Sequence, residues 1–357
     1  MAPIGVGVLS FAHGHVNAYC SQMKSWNDEV KLIAAWDANE TRGARQAEAF
    51  GMDYRADVAD VLSDPEIEAV FIASETSEHA RLVEAAAAAG KTIVLQKPLA
   101  FRIEDCDRIE AAVESAGVRF TVAYQMRHDP ANQKMRELVL GGEIGRVGLL
   151  RRRHCIPVLF NEGFYSNPET QWHVQADKNF GMFMDDACHA ADFIYWIMGM
   201  PTSVMAEIDN VLTDIAPDDT GVALYRHDSG AMSILTNASV THAGVNTTEI
   251  YGDEGVIIQD YGDGPSNGAV KPPEDAVGVK IFKASESGKG FQPLDVPVPE
   301  GHGERIHGVA RPMVDWLKDD NAPPPCPLRE ARCSVEMCLG AYASAESGSR
   351  VAFPLAG

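Results

Sequence analysis

Along the first third of the chain, short unbroken apolar runs alternate with longer segments whose apolar residues recur at helical spacing. Ile4 to Leu9, Lys31 to Trp36, Glu68 to Ala73, Thr92 to Leu95 and Val118 to Tyr124 read as strands. Between them Val16 to Trp26, Glu40 to Phe50, Glu78 to Ala89 and Ile103 to Ala116 read as helices, the last three followed by Gly51, Gly90 and Gly117 as stop signals. Strands that are apolar throughout belong to a sheet covered on both faces. Their alternation with helices predicts right-handed crossovers and a doubly wound parallel sheet. From about Arg146 the texture changes. Val204 to Asn210, Thr220 to Tyr225, Ala231 to Ala238 and Thr247 to Tyr251 follow one another as strands, which predicts a mainly antiparallel sheet in a second domain. The Gly-, Pro- and Asp-rich stretch from Gly252 to Gly303 reads as hairpins and loops. Helices are expected around Asp185 to Met198, Ile306 to Lys318 and Leu328 to Ser347. The predicted class is α/β, with one domain over residues 1–125 and a second over 126–357, whose last helix packs back near the first.

Composition narrows the partners. The 357 residues suggest roughly two domains, and 45% hydrophobic with 23% charged residues is ordinary for a globular chain with a sizeable core. Lys and Arg total 30 against 51 Asp and Glu, a net charge of −21 that opposes binding to nucleic acid or to an anionic membrane. The short basic run Arg151-Arg152-Arg153 does not reverse this. No stretch approaches the ~20 apolar residues of a membrane span, and the first basic residue is Lys24, so a secretory start is not expected. Seven cysteines without a CxxC pair fit reduced thiols in a cytoplasmic protein better than a disulfide or zinc framework.

Candidate chemistry gathers where a parallel sheet binds ligands, beyond the carboxyl ends of its strands. The first such end is Ser10-Phe11-Ala12-His13-Gly14-His15. It has the spacing of a dinucleotide fingerprint, with Ser10, Ala12 and His15 in the three glycine positions. Asp37 ends the second strand, where a carboxylate accepts ribose hydroxyls and repels a 2′-phosphate, favouring NAD over NADP. A metal at His13 and His15 lacks a third ligand nearby in sequence. Lys97, in Gln96-Lys97-Pro98, stands at the rim of a later strand, suited to stabilising a substrate oxyanion. In the third feature, Asp185, His189 and Asp192 fall on one stripe of a helix that is apolar almost all round. Burying two carboxylates and an imidazole is costly unless they satisfy each other or a ligand. A histidine there, oriented by Asp185, suits proton abstraction from an alcohol.

Taken in order, Ala73-Ser74-Glu75-Thr76-Ser77-Glu78-His79-Ala80, Gly90 to Ala100, Gln125-Met126-Arg127-His128-Asp129-Pro130, Gly141 to Gly145, Asp185 to Asp192 and Tyr342 to Gly348 resemble the glucose–fructose oxidoreductase / inositol dehydrogenase / MocA family nearly end to end. The resemblance implies a Rossmann domain, a C-terminal α/β domain with a large open sheet that serves contacts between subunits of a homodimer or homotetramer, and hydride transfer between a nicotinamide cofactor and a sugar, cyclitol or related polyol. It gives Lys97, Asp185 and His189 the catalytic roles, with His189 as acid/base. It places cofactor contacts at Ser10, Phe11, Ala12, His13, His15 and Asp37, and at Ser74, Thr76, His79, Gln96, Lys97 and Gln125. Met126 and Arg127 would join Lys97, Asp185 and His189 around the substrate. The sequence departs from the family in its fingerprint, in Gln96 where a glutamate is usual, and in Asn179-Phe180-Gly181 where a glycine run is usual. Two other readings stay open, a glycoside-cleaving enzyme of the same family and a dinucleotide-binding sensor; Phe164, Tyr165 and Trp172 fit either a pocket for aromatic glycosides or packing at the domain junction.

Overall fold

The computed structural model describes residues 2–242, 246–260, 273–298 and 301–355. Six parallel strands form the first sheet: β1 (Ile4–Leu9), β2 (Val30–Trp36), β3 (Asp53–Tyr54), β4 (Ala69–Ile72), β5 (Thr92–Leu95) and β6 (Phe120–Val122). Their order, β3-β2-β1-β4-β5-β6, reverses direction at β1, so the crevice above β1 and β4 is the ligand-binding switch point of a Rossmann fold. The helices follow local chemistry. Asn39 caps Glu40–Phe50 by accepting from the Arg42 backbone N–H at 3.0 Å, and Gly51 closes that helix at φ +75°. Every side chain of β4 is buried, as helices on both faces require.

Nine strands form the second sheet: β7 (Val147–Cys155), β8 (Ser203–Asp209), β9 (Thr220–Arg226), β10 (Met232–Ala238), β11 (Asn246–Gly252), β12 (Gly255–Asp260), β13 (Val279–Lys283), β14 (Gln292–Pro293) and β15 (Val351–Ala352). Their order is β14-β13-β12-β11-β7-β10-β9-β8-β15, antiparallel except for the parallel pair β7–β10. One face packs on the helices Met182–Met198 and Leu328–Ser347. The register puts Leu149, Met232, Leu224 and Met205 on the other face together with Val222 and Tyr251, a half-exposed surface that these side chains share with Arg151, Arg153, Arg226 and Glu249.

Two sequence expectations change, and the basic run finds its place. The basic run lies in β7, where strand alternation buries Arg152 and His154 while Arg151 pairs with Glu249 at 2.8 Å. The single helix expected over Ile306 to Lys318 is two, His302–His307 and Ala310–Lys318, divided at Gly308-Val309 where glycine weakens helix propagation. These helices also return to the first domain: Met313, Val314 and Trp316 join the core of Val6, Val8 and Phe71, and Arg311 pairs with Glu29 at 2.9 Å. Of the loop region predicted over Gly252 to Gly303, residues 261–272 and 299–300 lie outside the described residues.

Where β6 leaves the first sheet, Arg127 reaches into the second domain. Its Nη2 is 2.6 Å from Asp192 Oδ1, its Nε 2.9 Å from Oδ2, and its Nη1 meets Glu330. Arg127 and Asp192 are both buried. Removing one partner of a buried pair strands the other charge, so Arg127→Leu is expected to lower stability by about 3–5 kcal/mol, read as a lower denaturant midpoint.

Candidate active site

The turn after β1 is held by a carboxylate. Ser10 takes φ +75°, a left-handed conformation that glycine accepts at no cost and serine does not. Its Oγ offsets the strain, donating to Asp37 Oδ2 and accepting from the Ala12 N–H, each at 3.2 Å. This is how the fingerprint tolerates serine. Asp37 Oδ2 also accepts from the Phe11 N–H at 2.7 Å and Arg42 Nε at 2.9 Å, while Oδ1 accepts from the Asn39 N–H and Arg42 Nη2, both at 2.7 Å. Five donors fill a carboxylate that has about four lone pairs. Asp37 therefore builds the turn and anchors Arg42, and it is Arg42 that lines the adjoining cavity of about 490 Å³, with Ser10, Asn39, Ser74, Glu75 and Lys178. The expected offer of Asp37 oxygens to ribose hydroxyls is not seen, because a guanidinium five residues on has taken them.

On the other side of the turn lies a second cavity of about 450 Å³, lined by His13, His15, Lys97, His154, Phe164, His173, Asp185, Asp186 and His189 among others. Lys97 arrives from the end of β5 and Asp185 from the first turn of Met182–Met198. Lys97 Nζ donates to Asp185 Oδ1 at 2.9 Å and to its carbonyl oxygen at 3.1 Å. Asp185 Oδ2 is 2.7 Å from His173 Nδ1. Burial opposes the lysine's charge, but Asp185 outweighs it and raises the pKa. Burial likewise opposes ionisation of Asp185, yet Lys97 and His173 hold that carboxyl well below the usual range. The neighbouring Asp186 goes the other way. Burial and the Asp185 charge push it up to about 7, against Lys97 and a 2.6 Å hydrogen bond from Ser239 Oγ. His13 is kept uncharged by burial and by the nearby His15 and Lys97.

The predicted residues divide by position. Lys97, Asp185, His189, His13 and His15 line one cavity, and Ser10 and Ser74 the other. Gln96 lies behind the first, bridging Tyr19 Oη at 3.1 Å and His15 Nδ1 at 3.0 Å. The Gln125 amide is buried with no protein hydrogen bond among the described residues. His79 bonds the Pro98 carbonyl at 2.9 Å and supports the Lys97 segment from behind, its pKa lowered to about 4 by burial. Met126 and Arg127 do not line the cavity: Asn132 Nδ2 donates to the Met126 carbonyl at 2.9 Å, and Arg127 is engaged by Asp192. Asp192 shares a stripe with Asp185 but lies about 10 Å further along the helix axis, so the acid–His–acid stripe reduces to Asp185 and His189. The Asp185 carboxylate accepts from Lys97 on one oxygen and faces His173 on the other. Sequence reasoning missed His173, His154 and Arg42. His154 was legible from the alternation of β7; His173 follows Trp172 in an irregular segment with no period to read.

That segment, residues 158–181, crosses from the second domain over the first. Trp172 Nε1 donates to the Ala12 carbonyl at 3.2 Å, Thr76 Oγ1 to Asn179 Oδ1 at 2.8 Å, and Lys178 pairs with Glu75 at 2.9 Å. Arg45 forks onto Glu169 with two bonds of 2.8 Å. The segment supplies Asn161, Phe164, Thr170 and His173 to one cavity and Pro168 and Lys178 to the other.

The raised Asp186 pKa has a measurable consequence. The native state keeps a proton that the unfolded chain releases near pH 4, so Asp186 favours folding at low pH and that contribution is lost as pH rises toward about 7. Asp186→Asn, which keeps an acceptor for Ser239, is expected to flatten this part of the stability profile in urea titrations between pH 4 and 7.

Residues 1–124 match the family described as "Oxidoreductase family, NAD-binding Rossmann fold", and residues 132–258 match "GFO/IDH/MocA C-terminal domain". An uncharacterized oxidoreductase, YrbE of Bacillus subtilis, is 30% identical over 238 residues, covering 65% of this chain and 67% of that one. Myo-inositol 2-dehydrogenase of Thermotoga maritima is 27% identical over 263 residues, 71% of this chain and 75% of its own. Among solved structures, levoglucosan dehydrogenase in complex with NADH and levoglucosan superposes with a TM-score of 0.82 at 23% identity, over 99% of this chain and 100% of that one, a likeness of fold. With both halves matched, the chain belongs to the GFO/IDH/MocA oxidoreductase family and carries its NAD-binding Rossmann domain.

Proposed function

We propose that the protein is an NAD-dependent dehydrogenase that moves hydride between the nicotinamide and a secondary alcohol of a sugar, cyclitol or sugar-like polyol. The observation that carries this reading is the convergence of Lys97, from the first domain, and Asp185 and His189, from the second, on one cavity of about 450 Å³. Relatives named as myo-inositol 2-dehydrogenase and D-apiose dehydrogenase support the substrate class.

The residues present fit a dinucleotide. The two cavities flank the turn at the N-terminus of His15–Met23, where backbone N–H groups favour a pyrophosphate. A Cβ on Gly14 would meet nothing within 4 Å, so the backbone there is open to close approach. The buried Gln125 amide, with no protein hydrogen bond among the described residues, suits a polar ligand group. Arg42, Asn39 and Ser74 would hold the adenosine end, with His13 and His15 toward the nicotinamide. Around the adenosine cavity Glu75, Glu78 and the buried Asp37 outnumber Arg42 and Lys178, which disfavours a 2′-phosphate and supports NAD over NADP. Bound NAD⁺ supplies the hydride acceptor. The rest is this chain's work: Lys97, fixed as an ammonium by Asp185, stabilises the developing alkoxide, and His189 serves as acid/base for the hydroxyl proton. The outer face of the second sheet, where half-exposed apolar residues lie among arginines, is the surface proposed for contact between copies.

Lys97→Ala and His189→Ala are each expected to lower turnover by about 10²–10⁴ while NADH binding changes by no more than a few-fold. The assay is NADH formation from NAD⁺ over a panel of polyols and glycosides. Net NADH marks a dehydrogenase, glycoside cleavage without net NADH marks the glycoside-cleaving reading, and dinucleotide binding with no turnover marks a sensor.

A further inference from the structure

Asp185 divides its carboxylate between two domains' worth of partners, and the second of them, His173, has no part in the reaction as assigned so far. Because Asp185 is ionised, it can only accept, so the ring nitrogen facing it at 2.7 Å carries the proton. In a neutral imidazole the other nitrogen, Nε2, then bears the bare lone pair. His173 lines the cavity, and among the described residues no protein hydrogen bond to its Nε2 is seen. The ring is fixed in place by Trp172 stacked at 3.7 Å, Phe164 at 5.0 Å and the edge of His13 at 5.3 Å. Asp185 is the charged group in contact with it; His13 on the turn is neutral, and Lys97 reaches it through the shared carboxylate. A carboxylate that sets the tautomer of a packed imidazole, with the second nitrogen open to a ligand cavity, is the arrangement of a general base.

We propose that His173 is a second acid–base residue of this site, a route for the substrate hydroxyl proton distinct from His189. The assignment rests on the dehydrogenase reading above. The carbinol C–H bond breaks with its electron pair passing to the nicotinamide dinucleotide. The O–H bond breaks, its electron pair forming the carbonyl, and the proton goes to His173 Nε2. The resulting imidazolium lies against the Asp185 carboxylate, and the reverse reaction returns the proton by the same path.

His173→Gln separates this role from a structural one, since the glutamine amide still donates to Asp185 but cannot take a proton. The variant is expected to lose about tenfold or more in kcat, with KM and the NADH Kd (by fluorescence titration) within a few-fold of wild type. His173→Ala is expected to recover part of its rate when imidazole is added. Spectra of ¹⁵N-histidine-labelled protein with NADH bound are expected to show His173 as the Nδ1–H tautomer, a readout independent of turnover. His173→Gln at the wild-type rate, or an Nε2–H tautomer, overturns the assignment while leaving the dehydrogenase reading intact. A wild-type protein that oxidises none of the polyols overturns the dehydrogenase reading itself, and the role of His173 with it.

Discussion

A buried negative charge at Asp185 organises the centre of this molecule. Taking a carboxylate and an ammonium out of water costs several kcal/mol per ion, a penalty offset only by close geometry and further hydrogen bonds. Both are present: Lys97 bonds the carboxylate and the carbonyl of the same residue, and His173 takes the remaining oxygen. Lys97 and a stretch some 80 residues further on, with His173 and Asp185, are thereby held at one point between the domains. The same charge explains its neighbour. With Asp185 ionised, a second anion at Asp186 adds repulsion to burial, which is why the Asp186 carboxyl is pushed up to about 7.

Much of the architecture was legible because period and punctuation are local signals. Ile103–Ala116 and Leu328–Ser347 fall where the spacing of apolar residues places them, the first closed by Gly117 at φ +64°. Of the second domain's strands, β8 to β11 were named from their patterns, whereas β12 and β13 alternate too but lie in the stretch read as hairpins and loops. β7 was overlooked because three arginines in a row look like surface, although alternation sends the middle one inward beside His154. The return of residues 302–318 to the first domain was not legible either. A helix pattern shows which face is apolar but not which of two cores will bury it.

The site was legible in part for the same reason. Lys97, Asp185 and His189 stood out because a charged residue at a strand end, or inside an apolar helix, breaks a pattern. His173 breaks none, and its importance arises from tertiary proximity to Asp185. Asp192 shows the converse error. Angular position on a helical wheel put it with Asp185, whereas translation along the axis carried it to Arg127. Asp37 was located correctly as a residue, but whether its oxygens are open to a ligand depends on Arg42, a contact that angular and spacing arguments do not reveal.

The segment over residues 158–181 walls both cavities at once, giving Pro168 and Lys178 to one and Phe164 and His173 to the other. Its ties to Ala12, Glu75, Thr76 and Arg45 anchor it to the opposite domain. Any excursion of that stretch reshapes the two chambers in concert. Whatever coupling that shared wall gives the two chambers is reciprocal, each occupant altering the other's affinity by the same factor.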